Sequence, residues 1–169
     1  MSWIIRLSKL SDYPGLMAIE NQIWHSGNTP SVTTYETVED YQKHFAVGSQ
    51  LVAEDKETKE IVGLLGFRTP THLPAHQKTW EVDVGVHPNV QGKGVGTALL
   101  AAIKPLAAER GIHKLTLRVL ATNPAAIQLY QKSGFEVEGR LREEFWIEGQ
   151  FIDDLLMAYF ISTVTERIN

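Results

Sequence analysis

The stretch Val84-Gly85-Val86-His87-Pro88-Asn89-Val90-Gln91-Gly92-Lys93-Gly94-Val95-Gly96-Thr97-Ala98-Leu99-Leu100-Ala101-Ala102 decides how this chain is read. An apolar run ends at Pro88, glycines alternate at 92, 94 and 96, and an alanine- and leucine-rich run follows at once. The pattern predicts a strand, a tight glycine turn and a helix. Glycine takes up φ > 0 and lets the backbone approach a ligand closely. The first N–H groups of the helix lack intrahelical partners and sit at the positive end of its dipole, so they favour a phosphate. The stretch therefore reads as a pyrophosphate cradle.

Two nucleotide folds fail against it. A P-loop needs Lys-Ser or Lys-Thr after its last glycine, and here Gly96 is followed by Thr97-Ala98. A Rossmann fingerprint needs a glycine at its sixth position. Counting from Gly92 that position is Thr97, and counting from Gly94 it is Leu99. The acidic residue expected about 20 positions further on is Ile112 instead.

Upstream, the strand from Trp80 to Val86 places Glu81, Asp83 and Gly85 on one face and Val82, Val84 and Val86 on the other. A hairpin with a charged tip precedes it, Leu51–Glu54 and Ile61–Phe67. Trp3–Leu7 reads as a first strand. A helix then enters through Ser11, Asp12 and Pro14, carries Leu16, Ile19, Ile23 and Trp24 at helical spacing, and ends near His25. The polar loop 25–37 and a short helix reaching Phe45 could together form a lid.

Downstream, the helix from Gly94 runs to Glu109 with Gly111 as its stop, and Pro105 inside it predicts a kink. Leu115–Leu120 is a strand. Asn123 then caps a helix that begins at Pro124 and ends at Gly134. Phe135–Leu141 and Glu144–Ile147 are strand-like, Glu148-Gly149 is a turn, and Phe151–Phe160 is a final strand. The expected whole is one α+β domain over residues 1–169, in the order β-α-α-β-β-β-α-β-α-β-β.

Composition narrows the function. The chain has 169 residues, 43% hydrophobic and 21% charged, which suits a soluble globular domain. The net charge of −4 argues against nucleic acid as a partner. With no cysteine, thiolate nucleophiles, disulfides and Cys-based zinc sites are excluded. No apolar run approaches the roughly 20 residues of a membrane span, so no membrane partner is expected and the cytoplasm is the default location. His72 and His76 have zinc-like spacing, but Pro74 breaks any helix that would align them and no third ligand is evident, so no metal is expected.

Gln91-x-x-Gly94-x-Gly96 at a strand-to-helix junction resembles the acetyl-CoA pyrophosphate loop of the Gcn5-related N-acetyltransferases (GNAT). Asn123-Pro124-Ala125-Ala126-Ile127-x-Leu129-Tyr130-x-Lys132-x-Gly134-Phe135 looks like the second signature of the same family. About 25 residues of helix and strand separate the two, as a βα connection requires. The resemblance implies the GNAT fold: a central mixed, mostly antiparallel sheet of about seven strands with about four helices, splayed between the fourth and fifth strands. It implies acetyl-CoA as cosubstrate. Val84, Gly85 and Val86 would bind the pantetheine arm through main-chain groups. Gln91, Gly92, Lys93, Gly94, Val95, Gly96 and Thr97 would hold the pyrophosphate, and Asn123 would bond the cofactor arm. Tyr130 would sit near the thioester sulfur and protonate the leaving thiolate.

The reaction so implied is direct attack of a neutral amine on the thioester, which needs a proton acceptor. Glu81 is the first candidate and Asp83 the second; either could instead order water, bind a cationic acceptor or pair with Arg118. In the branch that acetylates ribosomal-protein N-termini a base Glu lies five residues before the asparagine, and Arg118 occupies that place here. The C-terminal pattern of Gly134-Phe135, Gly139, Gly149, Asp153 and Met157 resembles branches acting on free amino acids, small amines or protein N-termini. A small-molecule acceptor such as an amino acid is favoured, with polyamines and aminoglycosides open. Trp24, Tyr35, Phe145 and Trp146 could line its pocket. A homodimer through the last strands and a non-catalytic CoA-binding sensor are the remaining expectations.

Overall fold

A computed structural model describes residues 2–161. The domain expected from the sequence also took in residue 1 and residues 162–169, which lie outside the described residues. Seven strands form one sheet: β1 (Trp3–Leu7), β2 (Gln50–Asp55), β3 (Ile61–Arg68), β4 (Thr79–Val86), β5 (Lys114–Leu120), β6 (Glu136–Ile147) and β7 (Gln150–Phe160). Their order is β1-β2-β3-β4-β5-β7-β6. Among the described residues only the β4–β5 pair is parallel, and every other pair is antiparallel. The helices are α1 (Tyr13–Ile23), α2 (Val38–His44), α3 (Val95–Glu109) and α4 (Pro124–Lys132). The class is α+β, with the mixed sheet and helix number expected.

The alternation along β4 divides the core. Trp80 and Val82, with Val84 and Val86 packed against them, face α3, whose Leu99, Leu100 and Ile103 are fully buried. Burying side chains of this size contributes roughly 1.5–3 kcal/mol each. The opposite face of the sheet carries Val52 and Leu64 against Tyr13, Leu16, Ile19 and Ile23 of α1 and Tyr41 of α2. Helix α1 comes so close to β4 that a Cβ on Gly85 would stand 2.2 Å from Cδ1 of Ile23.

The sheet opens at its centre. β4 pairs with β5 through Thr79–Lys114, Trp80–Leu115 and Glu81–Thr116, and among the described residues through nothing beyond. On the outer edges the pairing continues, β3 with β4 as far as Val86 and β5 with β7 as far as Leu120. The two strands therefore part after Glu81, which is the expected splay. Main-chain groups of β4 on that edge lack a strand partner.

Two local expectations change. Helix α1 stops at Ile23, not near His25. The Asn28 amide donates to the Ile23 carbonyl at 2.7 Å and its Oδ1 accepts the His25 N–H at 2.9 Å, so the chain turns early. Helix α3 runs through Pro105 to Glu109, the end expected for it. The two strand segments after Phe135 are one strand, β6, with a register shift between Leu141 and Phe145. Glu143 sits in that bulge at φ 53°, its N–H donating to Asp153 Oδ1 at 2.8 Å. A bulge absorbs extra residues without ending the pairing.

Candidate active site

The glycine turn is built as its residue types require. Gly92 and Gly94 have φ of 75° and 89°, in the left-handed region that a Cβ disfavours. Gly94 caps α3, whose first internal bond runs from the Ala98 N–H to the Gly94 carbonyl at 3.0 Å. The N–H groups of Val95, Gly96 and Thr97 thus lead the helix. Gln91 Nε2 donates to the Val86 carbonyl at 3.3 Å, and Lys93 Nζ to the Asn89 carbonyl at 3.0 Å, tying the turn to the end of β4. His87 is a turn residue whose Nδ1 accepts the Asn89 N–H at 3.2 Å.

A cavity of about 630 Å³ runs through the splay. Its walls include Glu20 of α1, Trp24 just after that helix, Pro30, Ser31, Thr33 and Tyr35 in the following loop, Glu81 to Val84 of β4, Arg118 to Leu120 of β5, and Asn123, Ala126 and Tyr130 at α4. Phe145 and Asp154 reach it from the last hairpin. The Ser26 hydroxyl hydrogen-bonds Glu148 at the hairpin turn, so the 25–37 loop meets that hairpin.

Tyr130 is 8% exposed, and burial pushes its phenol above the ordinary value, so it keeps its proton at neutral pH. The end of α4 fixes its position. Gly134 takes φ 88° and the Phe135 N–H donates to the Tyr130 carbonyl at 3.0 Å, a glycine-closed terminus. Asn123 Oδ1 accepts the Ala126 N–H at 3.2 Å and caps the other end.

The charges are distributed differently from the expectation. Arg68, at the end of β3, donates through Nη2 to Glu81 Oε1 at 2.6 Å and through Nη1 to Asp83 Oδ1 at 2.8 Å. Arg118 bonds Asp154 Oδ2 at 2.5 Å and lies 3.5 Å from Glu144 Oε1. Burial raises the Asp154 carboxyl while Arg118 opposes that rise. Glu20 also reaches the cavity. It is 5% exposed, accepts a hydrogen bond from Trp24 Nε1, and burial pushes its carboxyl up to about 7.

Residues 15–135 match the family described as Acetyltransferase (GNAT) family. The chain belongs to this family. It is 29% identical over 160 residues to the L-methionine sulfoximine/L-methionine sulfone acetyltransferase of Pseudomonas aeruginosa, covering 90% of this chain and 91% of that one. It is 32% identical over 121 residues to the spermidine N(1)-acetyltransferase of Vibrio cholerae, covering 70% of this chain and 68% of that one. The crystal structure of smu.2055 from Streptococcus mutans superposes with a TM-score of 0.84 at 27% identity, covering 94% of this chain and 99% of that one. As a GNAT member the chain is an acetyl-CoA-dependent N-acetyltransferase.

Within this GNAT fold the expected site residues fall into three groups. Val84, Asn123 and Tyr130 share the cavity wall with Glu81 and Asp83. Gly85 and Val86 continue the open edge of β4, and Gln91 to Thr97 form the turn at its end. Trp146 does not line the cavity: it is 64% exposed and packs on Phe151 with ring centres 4.7 Å apart. Trp24, Tyr35 and Phe145 do line it. His72 and His76 stand outside, with His76 Nδ1 3.0 Å from Thr71 Oγ1. Among the described residues no group of three or more His, Asp or Glu could hold a metal. Arg68 and Glu20 are the residues that sequence reading missed. Glu20 did carry a signal, since it lies four residues after Leu16 and three before Ile23, on the buried stripe of α1.

Proposed function

We propose that this GNAT enzyme transfers the acetyl group of acetyl-CoA to the primary amine of a small molecule, with free amino acids as the first class of acceptor. The observation that carries the reading is the gap between β4 and β5, whose cavity is lined by both a proton-bearing tyrosine and a carboxylate pair. The P. aeruginosa relative, named for two amino-acid derivatives, supports an amino-acid acceptor, and the V. cholerae relative keeps polyamines in the test.

The residues present suit the cosubstrate. An unpartnered strand edge can pair with an extended amide-bearing arm. A fifteen-residue helix that begins in two left-handed glycines presents N–H groups to a pyrophosphate. In this reading Val84, Gly85 and Val86 hold the pantetheine arm, Gln91 to Thr97 the pyrophosphate, and Asn123 the arm beyond it. When bound, acetyl-CoA supplies the thioester carbonyl that the amine attacks.

The chain's own groups manage the protons. Glu81, with Asp83 as the second candidate, accepts the proton lost by the attacking nitrogen. Arg68 bonds one oxygen of each and holds both carboxylates in place. As the C–N bond forms and the C–S bond breaks, Tyr130 gives its proton to the leaving sulfur and is reprotonated from solvent. Arg118 is paired with Asp154, which does not support the base found at that place in the ribosomal-protein N-terminal branch.

A thiol-release assay over amino acids, polyamines and aminoglycosides tests the proposal. CoA release with at least one small amine is expected. If acetyl-CoA raises the melting temperature and no amine releases CoA, the chain is a CoA-binding sensor. We place the enzyme in the cytoplasm with its cosubstrate. The exposed Val137 and Trp146 of edge strand β6 support a homodimer, which sedimentation at two concentrations would reveal.

A further inference from the structure

Helix α1 carries one carboxylate on a face that is otherwise apolar. Tyr13, Leu16, Ile19 and Ile23 are buried there among hydrophobic partners, and Glu20 is as buried as they are. Among the described residues its one hydrogen-bond donor is the neutral indole of Trp24. Among the described residues no cation forms an ion pair with it, and the nearby Arg68 bonds Glu81 and Asp83. A buried charge without a counter-ion costs stability, and a hydrophobic side chain of similar size would pack this position better. The same carboxylate lines the cavity that holds Glu81, Asp83 and Tyr130. The acceptor amine is a cation at neutral pH before it reacts.

Resting on the acetyltransferase reading above, we infer that Glu20 is an acceptor-binding residue: it receives the ammonium group of the incoming amine, which supplies the ion-pair partner that Glu20 lacks among the described residues. Glu20 serves capture, and Glu81, with Asp83 as the second candidate, passes to solvent both the proton that frees the captured amine for attack and the one the nitrogen loses as the C–N bond forms. The groups that face Glu20 are Asp83 from β4, Arg68 from β3, Tyr35 from the loop and Tyr41 from α2. His44 of α2 lines the same cavity. Capture should strengthen as Glu20 ionises, so KM for the amine falls as pH rises through about 7.

Glu20→Gln tests this on the whole chain, because a glutamine oxygen can still accept from Trp24 while the charge is gone. With the amine that the wild-type enzyme acetylates best, at pH 8, the expected result is at least a tenfold rise in KM for the amine. kcat should stay within threefold and KM for acetyl-CoA within twofold. The fall of KM with pH should also flatten. An amine KM within twofold of wild type with its pH dependence intact overturns the inference. So does a loss confined to kcat, which would place Glu20 in proton transfer. Glu20→Asp should recover part of the affinity, and a value no better than Glu20→Gln counts against a charge-based role. If the wild-type enzyme acetylates no amine, the acetyltransferase reading fails with this one; if it does and the variant matches it, only this one fails.

Discussion

Arg68 and Glu81 form a 2.6 Å ion pair across the β3–β4 register, and the same guanidinium reaches Asp83 from its other nitrogen. One cation at the end of β3 thus holds both carboxylates that stand beside the splay. The Arg68 side chain is 56% exposed, and ion pairs of this kind contribute about 0–1 kcal/mol to folding. Arg68→Ala should therefore leave the melting temperature nearly unchanged while lowering kcat/KM for the amine by about tenfold through loss of positioning. Steady-state kinetics beside a thermal melt checks this. A large drop in stability with unchanged kinetics would assign the pair to the fold alone.

Removing the Tyr130 hydroxyl should slow turnover without loosening the cosubstrate. A thiolate is a good leaving group, so Tyr130→Phe is expected to cost about 10²-fold in kcat, at the low end of general-acid effects. Calorimetric titration should give an acetyl-CoA Kd within twofold of wild type. Unchanged turnover would remove Tyr130 from the mechanism.

Glu81→Gln keeps an acceptor oxygen for Arg68 and removes the proton acceptor. The expected result is a 10²–10⁴-fold lower kcat and activity that recovers only at higher pH, where free amine becomes abundant. Asp83→Asn should show the smaller effect of the two. A pH–rate profile of Glu81→Gln that overlays the wild type rejects Glu81 as the base.

The contact of Gly85 with Ile23 predicts a packing defect. Alanine at 85 would bring its Cβ to 2.2 Å from Ile23 Cδ1, so α1 or the Ile23 rotamer must shift. Overpacking of this size costs about 1–3 kcal/mol. Ile23→Val removes the offending methyl, so the double variant should lose less stability than the two single losses added together. Strict additivity in urea denaturation would show that α1 moves away freely.

Glu20 makes stability depend on pH with an unusual sign. Burial raises its carboxyl to about 7, above the value it has in an unfolded chain, so the folded state binds the proton more tightly. Its contribution favours folding below the ordinary carboxylate range and is lost as pH climbs through about 7. Glu20→Gln should therefore be more stable than wild type at pH 8, by at most roughly 3 kcal/mol. The gap should close near pH 4.5. Melts at the two pH values measure it, and a variant less stable at pH 8 than at pH 4.5, relative to wild type, contradicts the buried charge.

Much of the fold was legible because it is written in short-range chemistry. The glycines at 92 and 94 demand φ > 0, Asn123-Pro124 starts a helix, Gly134 stops one, and the alternation from Trp80 to Val86 sorts one strand between two faces. These are local constraints, and each appears where the residues put it. The bulge at Glu143 was not legible, because a strand that bends around extra residues and two strands with a break share one pattern. The early stop of α1 depends on Asn28, whose side chain bonds back over five residues.

The sequence alone determined the glycine turn, the strand that feeds it and the tyrosine-bearing helix beyond, since each is specified by residues adjacent in the chain. Only the tertiary structure decided the electrostatics of the cavity. Arg68 meets Glu81 and Asp83 through strand register, Arg118 meets Asp154 across another pair, and Glu20 faces the same space from a helix more than sixty residues earlier. Charge partners are chosen by where the sheet and its helices bring side chains together. Burial, which sets whether a carboxylate holds its proton, exists only once they have packed.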